Sequence, residues 1–198
     1  VGVARATEDP QVLMVGKGSP YTTAKEFLEA SKTKAMKYGT TQIGSVDHLA
    51  VIGFAKKAGL QTPSVVPFRG GGDVVINLVG GNLDAALLNY AEAESQIKAG
   101  EVRTLLTLAN ERLPSIKDTP TAKEIGIDAV YSTTRGFAVL KGVPEDRLKI
   151  LEQGLVKAMG GKLFQDYLAS SGQSQKSVVG REEWQAQIDE FLRTGKDA

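Results

Sequence analysis

Short apolar runs of strand length alternate with longer stretches of helical period along most of the chain. QVLMVGK (Gln11 to Lys17) reads as a strand and SPYTTAKEFLEAS as a helix, with Thr23 and Glu26 spaced as a capping box. MKYGTT is the next strand, and SVDHLAVIGFAKKAG the next helix, closed by Gly59. The pattern repeats through strand SVVPF and helix GGDVVINLVGG, then strand LDAALLN and helix YAEAESQIKAG, and VRTLLTLA completes the set. Such alternation predicts an α/β protein with a largely parallel sheet.

Pro114 and Pro120 punctuate the turn LPSIKDTP, where the chain is expected to cross between domains. Beyond it come a short helix (TAKEIG), a strand (VYSTTRGFAVL) and three helical stretches. PEDRLKILEQGLVKAM carries Pro144 at its start, where it is tolerated. KLFQDYLASSG follows, and REEWQAQIDEFLRT closes the series with Trp184, Ile188, Phe191 and Leu192 on one face. The chain shows no repeat and no low-complexity segment.

Composition narrows the function. With 198 residues there is room for one domain or two small ones, and for a sizeable core. Lys+Arg 24 against Asp+Glu 23, with the signs interspersed, is not the one-sided basic footprint of a nucleic-acid binder. No run reaches the roughly 18 apolar residues of a membrane span. No signal-peptide pattern is visible and the first residue is Val1, so a processed or truncated product is expected. Cys 0 excludes thiolate zinc sites, disulfides and cysteine nucleophiles. One histidine and no clustered carboxylates argue against a transition-metal site, and no cofactor is expected.

In an open α/β sheet, ligands collect at the carboxyl ends of strands, against the first turns of the following helices. GTTQIGSVDH is one such junction. With Ser45 as N-cap, the amides of Val46, Asp47 and His48 are open donors, and they and the dipole favour an anion by about 0.3–1 kcal/mol. Thr40, Thr41 and Ser45 add neutral donors, whereas Asp47 opposes an anion unless it points away. A well-capped helix after a glycine turn is the plainer reading. No Gly-Lys-Ser/Thr closes a phosphate loop. Ser45 and His48 lie three apart on one helix without a G-x-S-x-G context, which excludes a catalytic triad.

VPFRGGGDVV is the second junction, where three glycines let a ligand approach and Arg69 offers a fork to a carboxylate, or else is a solvated surface arginine. At the third, LLNYAEAE, Asn89 and Tyr90 stand at the strand end, as ligand contacts or as a polar N-cap beside a surface tyrosine. In STTRGF an arginine inside an apolar strand needs a partner if buried, either a ligand carboxylate or a structural acid.

Taken in order, these segments resemble the substrate-binding subunit of tripartite tricarboxylate transporters, the TctC or Bug family. GTTQIGSVDHL resembles the family's Gly/Ser-rich loop ending in His-Leu, and VPFRGGGDVVINLVGGNLDAAL its V-P-Y/F-x-G-G segment. IKAGEVRTLLTLANERLPSIKDTPTAKEIG resembles its I-K-A-G…R-x-P…P-T-x-x-E-x-G signature. STTRGF resembles the Trp-Arg-Gly of the tricarboxylate-type branch, with Thr134 where that tryptophan stands.

The resemblance implies a periplasmic-binding-protein-like α/β fold of two Rossmann-like lobes with mostly parallel sheets. Residues 1–9 would be an inter-lobe crossover, 10–108 the second lobe, 109–119 a return crossover and 120–198 the C-terminal part of the first lobe. The first lobe would then be incomplete in this chain, lacking about a small domain's worth of residues. Its open edge and apolar faces imply possible self-association.

The implied function is capture of a small organic carboxylate, a di- or tricarboxylate or related acid, for delivery by hinge closure to the membrane components of a tripartite tricarboxylate transporter. The implied location is periplasmic or on an extracellular lipoprotein. The site residues would be Thr40, Thr41, Gly44, Ser45 and His48, then Arg69 and Gly70, then Asn89 and Tyr90, and Thr134 and Arg135 from the returning lobe. Two other classes compete. An enzyme would use His48 as general base and need a second acid or base beside it. The effector module of a transcriptional regulator would need an attached DNA-binding helix.

Overall fold

The computed structural model describes residues 1–194, and the chain divides into two compact units. One comprises Pro10–Ser132; the other comprises Val1–Asp9 and the chain from Thr133 on.

The Pro10–Ser132 unit is built on strands in the order β3-β2-β4-β1-β5. Here β1 is Gly2–Gly16, β2 Lys37–Thr40, β3 Ser64–Pro67, β4 Ala85–Asn89 and β5 Val102–Thr107. Strand β2 is parallel to β3 and to β4. The inner half of β1 runs antiparallel to both β4 and β5, with Gln11 opposite Asn89 and Val12 opposite Thr107. The sheet is therefore mixed where a largely parallel one is expected. Alternation of strands and helices fixes only the succession of elements. Strand direction depends on where each connection re-enters the sheet, and β1 enters between two strands that run against it.

Helices α1 (Ala24–Ser31), α2 (Val46–Lys57), α3 (Gly71–Val79) and α4 (Tyr90–Lys98) join these strands. The Thr23–Glu26 capping box is present at α1. Gly59, just past α2, adopts φ +64, a conformation that favours glycine. Alternate strand residues feed opposite faces. Leu13, Val15 and Leu87 pack with Phe27, Tyr38 and Phe54, while Val12, Met14 and Leu88 pack with Val74, Leu78 and Tyr90. Both faces are covered, which is why the strands read as continuous apolar runs rather than as alternating ones.

Residues 109–132 are counted in this unit. Ala122 and Tyr131 donate their amides to the Thr107 and Leu108 carbonyls, Gln11 donates to that of Tyr131, and Ala122 and Ala129 join the core. The expected short helix in TAKEIG is a 3-10 turn, Lys123–Ile125, closed by Gly126 at φ 86.

The other unit pairs the outer half of β1 with β6 (Ser132–Ala138) and adds α5 (Glu145–Met159), α6 (Lys162–Ser170) and α7 (Arg181–Thr194). Arg5 is buried at its centre, donating to the Ser177 carbonyl and the Gln187 side chain and pairing with Glu8 at 3.0 Å. Gly136 passes close to the Ala4 carbonyl and the Trp184 ring. The apolar face expected on α7 is only partly used: Trp184 is buried, whereas Phe191 and Leu192 are exposed.

Candidate functional site

Because β2, β3 and β4 run in one direction, their carboxyl ends at Thr40, Pro67 and Asn89 lie along one edge. Helices α2, α3 and α4 start just beyond them, and Gln11 enters the sheet at the same edge opposite Asn89. Nine of the eleven residues named from sequence are on this edge or the loops leaving it. Thr134 and Arg135 stand on β6 in the other unit.

The Thr41–Ser45 loop is fastened to the first turn of α2 at both ends. Ser45 caps the helix, its hydroxyl accepting the His48 amide at 3.2 Å. The Gly44 amide donates to Nδ1 of His48 at 3.2 Å, from a backbone at φ +80 that favours glycine. At the other end the Thr41 hydroxyl donates to Oδ2 of Asp47 at 2.6 Å. With Nδ1 accepting, the neutral ring carries its proton on Nε2. The amides of Val46 and Asp47 have no carbonyl a turn earlier to bond, so they are open donors.

The Asp47 carboxylate is held by two neutral side chains. It is buried, and Gln11 Nε2 donates to its Oδ1 at 3.0 Å while Thr41 takes the other oxygen. Gln11 is the residue that sequence reasoning missed. The one signal for it is a lone amide side chain at the head of the apolar run QVLMVG. Three fully buried polar atoms at the strand ends on this edge have no hydrogen-bond partner among the described residues, Oε1 of Gln11, Oγ1 of Thr40 and Oγ1 of Thr107. Orphaned buried polar atoms are rare in folded proteins.

At the second junction Gly70 is the N-cap of α3, with no side chain to satisfy the first amides. A side chain at Gly71 would collide with the Glu92 carboxylate, so this glycine keeps α3 and α4 close. Arg69 is exposed and makes no hydrogen bond or ion pair among the described residues. At the third, the Asn89 amide donates to Glu92 Oε2 at 3.2 Å as part of the N-terminal cap of α4. Tyr90 is 2% exposed and packs in the core against α3, so it is not a surface tyrosine. Burial pushes its phenol up from the ordinary tyrosine value.

Arg135 is exposed on β6, which removes the burial cost that called for a charged partner there; Thr134 beside it is half-buried. Among the described residues no group of three or more His, Asp or Glu side chains could hold a metal ion.

An α/β sheet that gathers three helix N-termini on one carboxyl edge defines a fold for binding small polar molecules. Residues 1–195 match the model of the Tripartite tricarboxylate transporter family receptor, TctC, and the chain belongs to this family. A UPF0065 protein of Bordetella pertussis is 26% identical over 173 residues, covering 86% of this chain and 53% of that protein. A ligand-free TctC solute-binding protein from Polaromonas has the same fold at a TM-score of 0.85 and 28% identity, covering 99% of this chain and 66% of the other. The MatC protein of Rhodopseudomonas palustris, solved with bound malate, shares the fold at a TM-score of 0.76 and 24% identity, with 99% and 68% covered. The chain spans about half the length of the curated relatives it matches.

Proposed function

We propose that this protein is a solute-binding protein that holds a small organic carboxylate at the carboxyl edge of the Pro10–Ser132 unit, outside the cytoplasm, for a tripartite tricarboxylate transporter. The observation that carries this reading is the Thr41–Ser45 loop. It is fastened to the first turn of α2 by Asp47 and His48, and it leaves the first amides of that helix open as donors. Arg69 adds an unengaged guanidinium on the next loop, suited to a bidentate carboxylate. Thr40, Gly70 and Asn89 line the same edge, and Tyr90 supports it from the core. Malate is a sensible first probe, since a TctC-like fold in MatC carries it.

The arrangement around His48 speaks against an enzyme. Its Nδ1 is taken by a backbone amide, and the neighbouring carboxylate of Asp47 is bound to Gln11 and Thr41 instead of orienting the ring.

Thermal shift followed by calorimetry with malate, succinate, citrate, terephthalate and glutamate tests the proposal. A saturable rise in melting temperature with one acid, reduced at least tenfold in affinity by Arg69→Ala, is the expected result. No shift with any of them, in a protein that melts cooperatively, overturns it.

A further inference from the structure

We propose that Asp47 is a specificity-determining residue that limits the negative charge the site accepts, favouring mono- and dicarboxylates over tricarboxylates. The inference rests on the carboxylate-binding reading above and narrows its ligand class.

Asp47 lies in the first turn of α2 and is 5% exposed. Both its oxygens accept hydrogen bonds, from Gln11 Nε2 at 3.0 Å and from the Thr41 hydroxyl at 2.6 Å. Both donors are neutral, and among the described residues no lysine, arginine or histidine lies within ion-pairing distance of this carboxylate. Neutral donors stabilise a buried charge without cancelling its field. The field therefore extends over the open amides of α2 and offsets the positive end of its dipole.

The rest of the edge adds little positive charge. Asp73 stands in the first turn of α3 and Glu92 in that of α4, where Glu92 accepts the Asn89 amide. Against these three acids the loops leaving β2 and β3 set one arginine, Arg69, and α2 a histidine whose Nδ1 is an acceptor. A second observation points the same way. Gln11, which donates to Asp47, keeps its Oε1 without a partner, as does the Thr40 hydroxyl at the end of β2, and neither atom is cationic. Being neutral, they add no positive charge for another carboxylate. One carboxylate can be met by the α2 amides and one by Arg69. A third finds no further cation on the loops leaving β2 and β3 and lies in the field of Asp47.

The test compares succinate with propane-1,2,3-tricarboxylate, which differ by one carboxylate, by calorimetry at neutral pH and low salt. The wild type is expected to bind succinate at least tenfold more tightly. Asp47→Asn keeps the shape and a hydrogen bond from Gln11 but removes the charge. It should narrow that ratio by on the order of tenfold, the size of a unit-charge interaction across several ångströms at an effective dielectric near 20. Equal or tighter binding of the tricarboxylate by the wild type overturns the proposal without recourse to any variant. So does an Asp47→Asn protein, folded by circular dichroism, in which both affinities change by the same factor. Absence of binding by either acid, and by malate, removes the carboxylate site itself and the filter with it.

Discussion

The two units treat their apolar side chains differently. The Pro10–Ser132 unit buries them in two clusters, one on each face of its sheet, and all members of both clusters belong to that unit. The other unit buries few large side chains, among them Leu148, Met159, Leu168 and Trp184. It leaves Leu140 86% and Leu163 88% exposed, with Phe137, Ile150 and Tyr167 also open to solvent. A helix or sheet face becomes stabilising only when a second layer covers it. The first unit has three layers, whereas β6 and α5–α7 carry apolar residues that nothing in the described chain covers. The candidate site is built on the well-packed unit, which is what a preformed loop of open amides requires.

The largest test of this contrast is a pair of core truncations followed by urea unfolding. Phe54→Ala, in the covered unit, is expected to cost about 3–5 kcal/mol. Phe191→Ala, at an exposed position of α7, should stay within about 0.5 kcal/mol. Similar costs for the two would mean that the second unit is as tightly packed as the first.

Glycine substitutions sharpen the comparison at the level of backbone. Gly39→Ala would drive a methyl into Leu83 and Val74, and should cost about 1–3 kcal/mol through overpacking. Gly136→Ala would meet the Ala4 carbonyl at 2.6 Å, which is backbone and cannot rotate away. Its expected signature is a faster hydrogen exchange confined to β6 and the outer half of β1, with the inner strands unaffected. Global loss of protection would show that the two units unfold as one.

A smaller effect is expected at the α1 cap. Thr23→Ala should cost about 1 kcal/mol. Hydrogen bonds from the Thr22 backbone and hydroxyl, then from the Thr23 amide, hold the Glu26 carboxyl below its ordinary value. Since the folded value is the lower one, the stability it contributes is present above the ordinary carboxylate range. It is lost as pH falls through the lowered value. The difference between wild type and Glu26→Gln should therefore vanish in acid; a difference that grew there would contradict the cap.

The smallest change in stability is expected where the apolar surface is open. Leu140→Glu with Leu163→Glu should leave the melting temperature nearly unchanged. If this face drives self-association, the same double variant should lower the sedimentation coefficient at high concentration. An unaltered, monomeric profile for both proteins would set that idea aside.

Element succession and the placing of the candidate residues at strand-to-helix junctions were legible in the chain because they rest on local physics. Period-2 and period-3.6 patterns, the Thr23–Glu26 box and the glycines after α2, α3 and α4 act over a few residues. Ser45 could be read as a cap for the same reason, and it caps α2. What the tertiary structure decided were matters of long-range pairing. The reach of β1 back to Gly2 runs through Arg5, Glu8 and Pro10, which break the apolar pattern. β6 and the bridge from Arg5 to Val179 hold that half extended. The antiparallel course of β1, the burial of Tyr90 and the exposure of Arg135 likewise depend on which element lies across from each. Asp47 shows the division most plainly. Its place in the first turn of a helix follows from the chain alone. That its charge turns inward rests on Gln11, 36 residues away, because only the folded sheet brings that amide to the helix start.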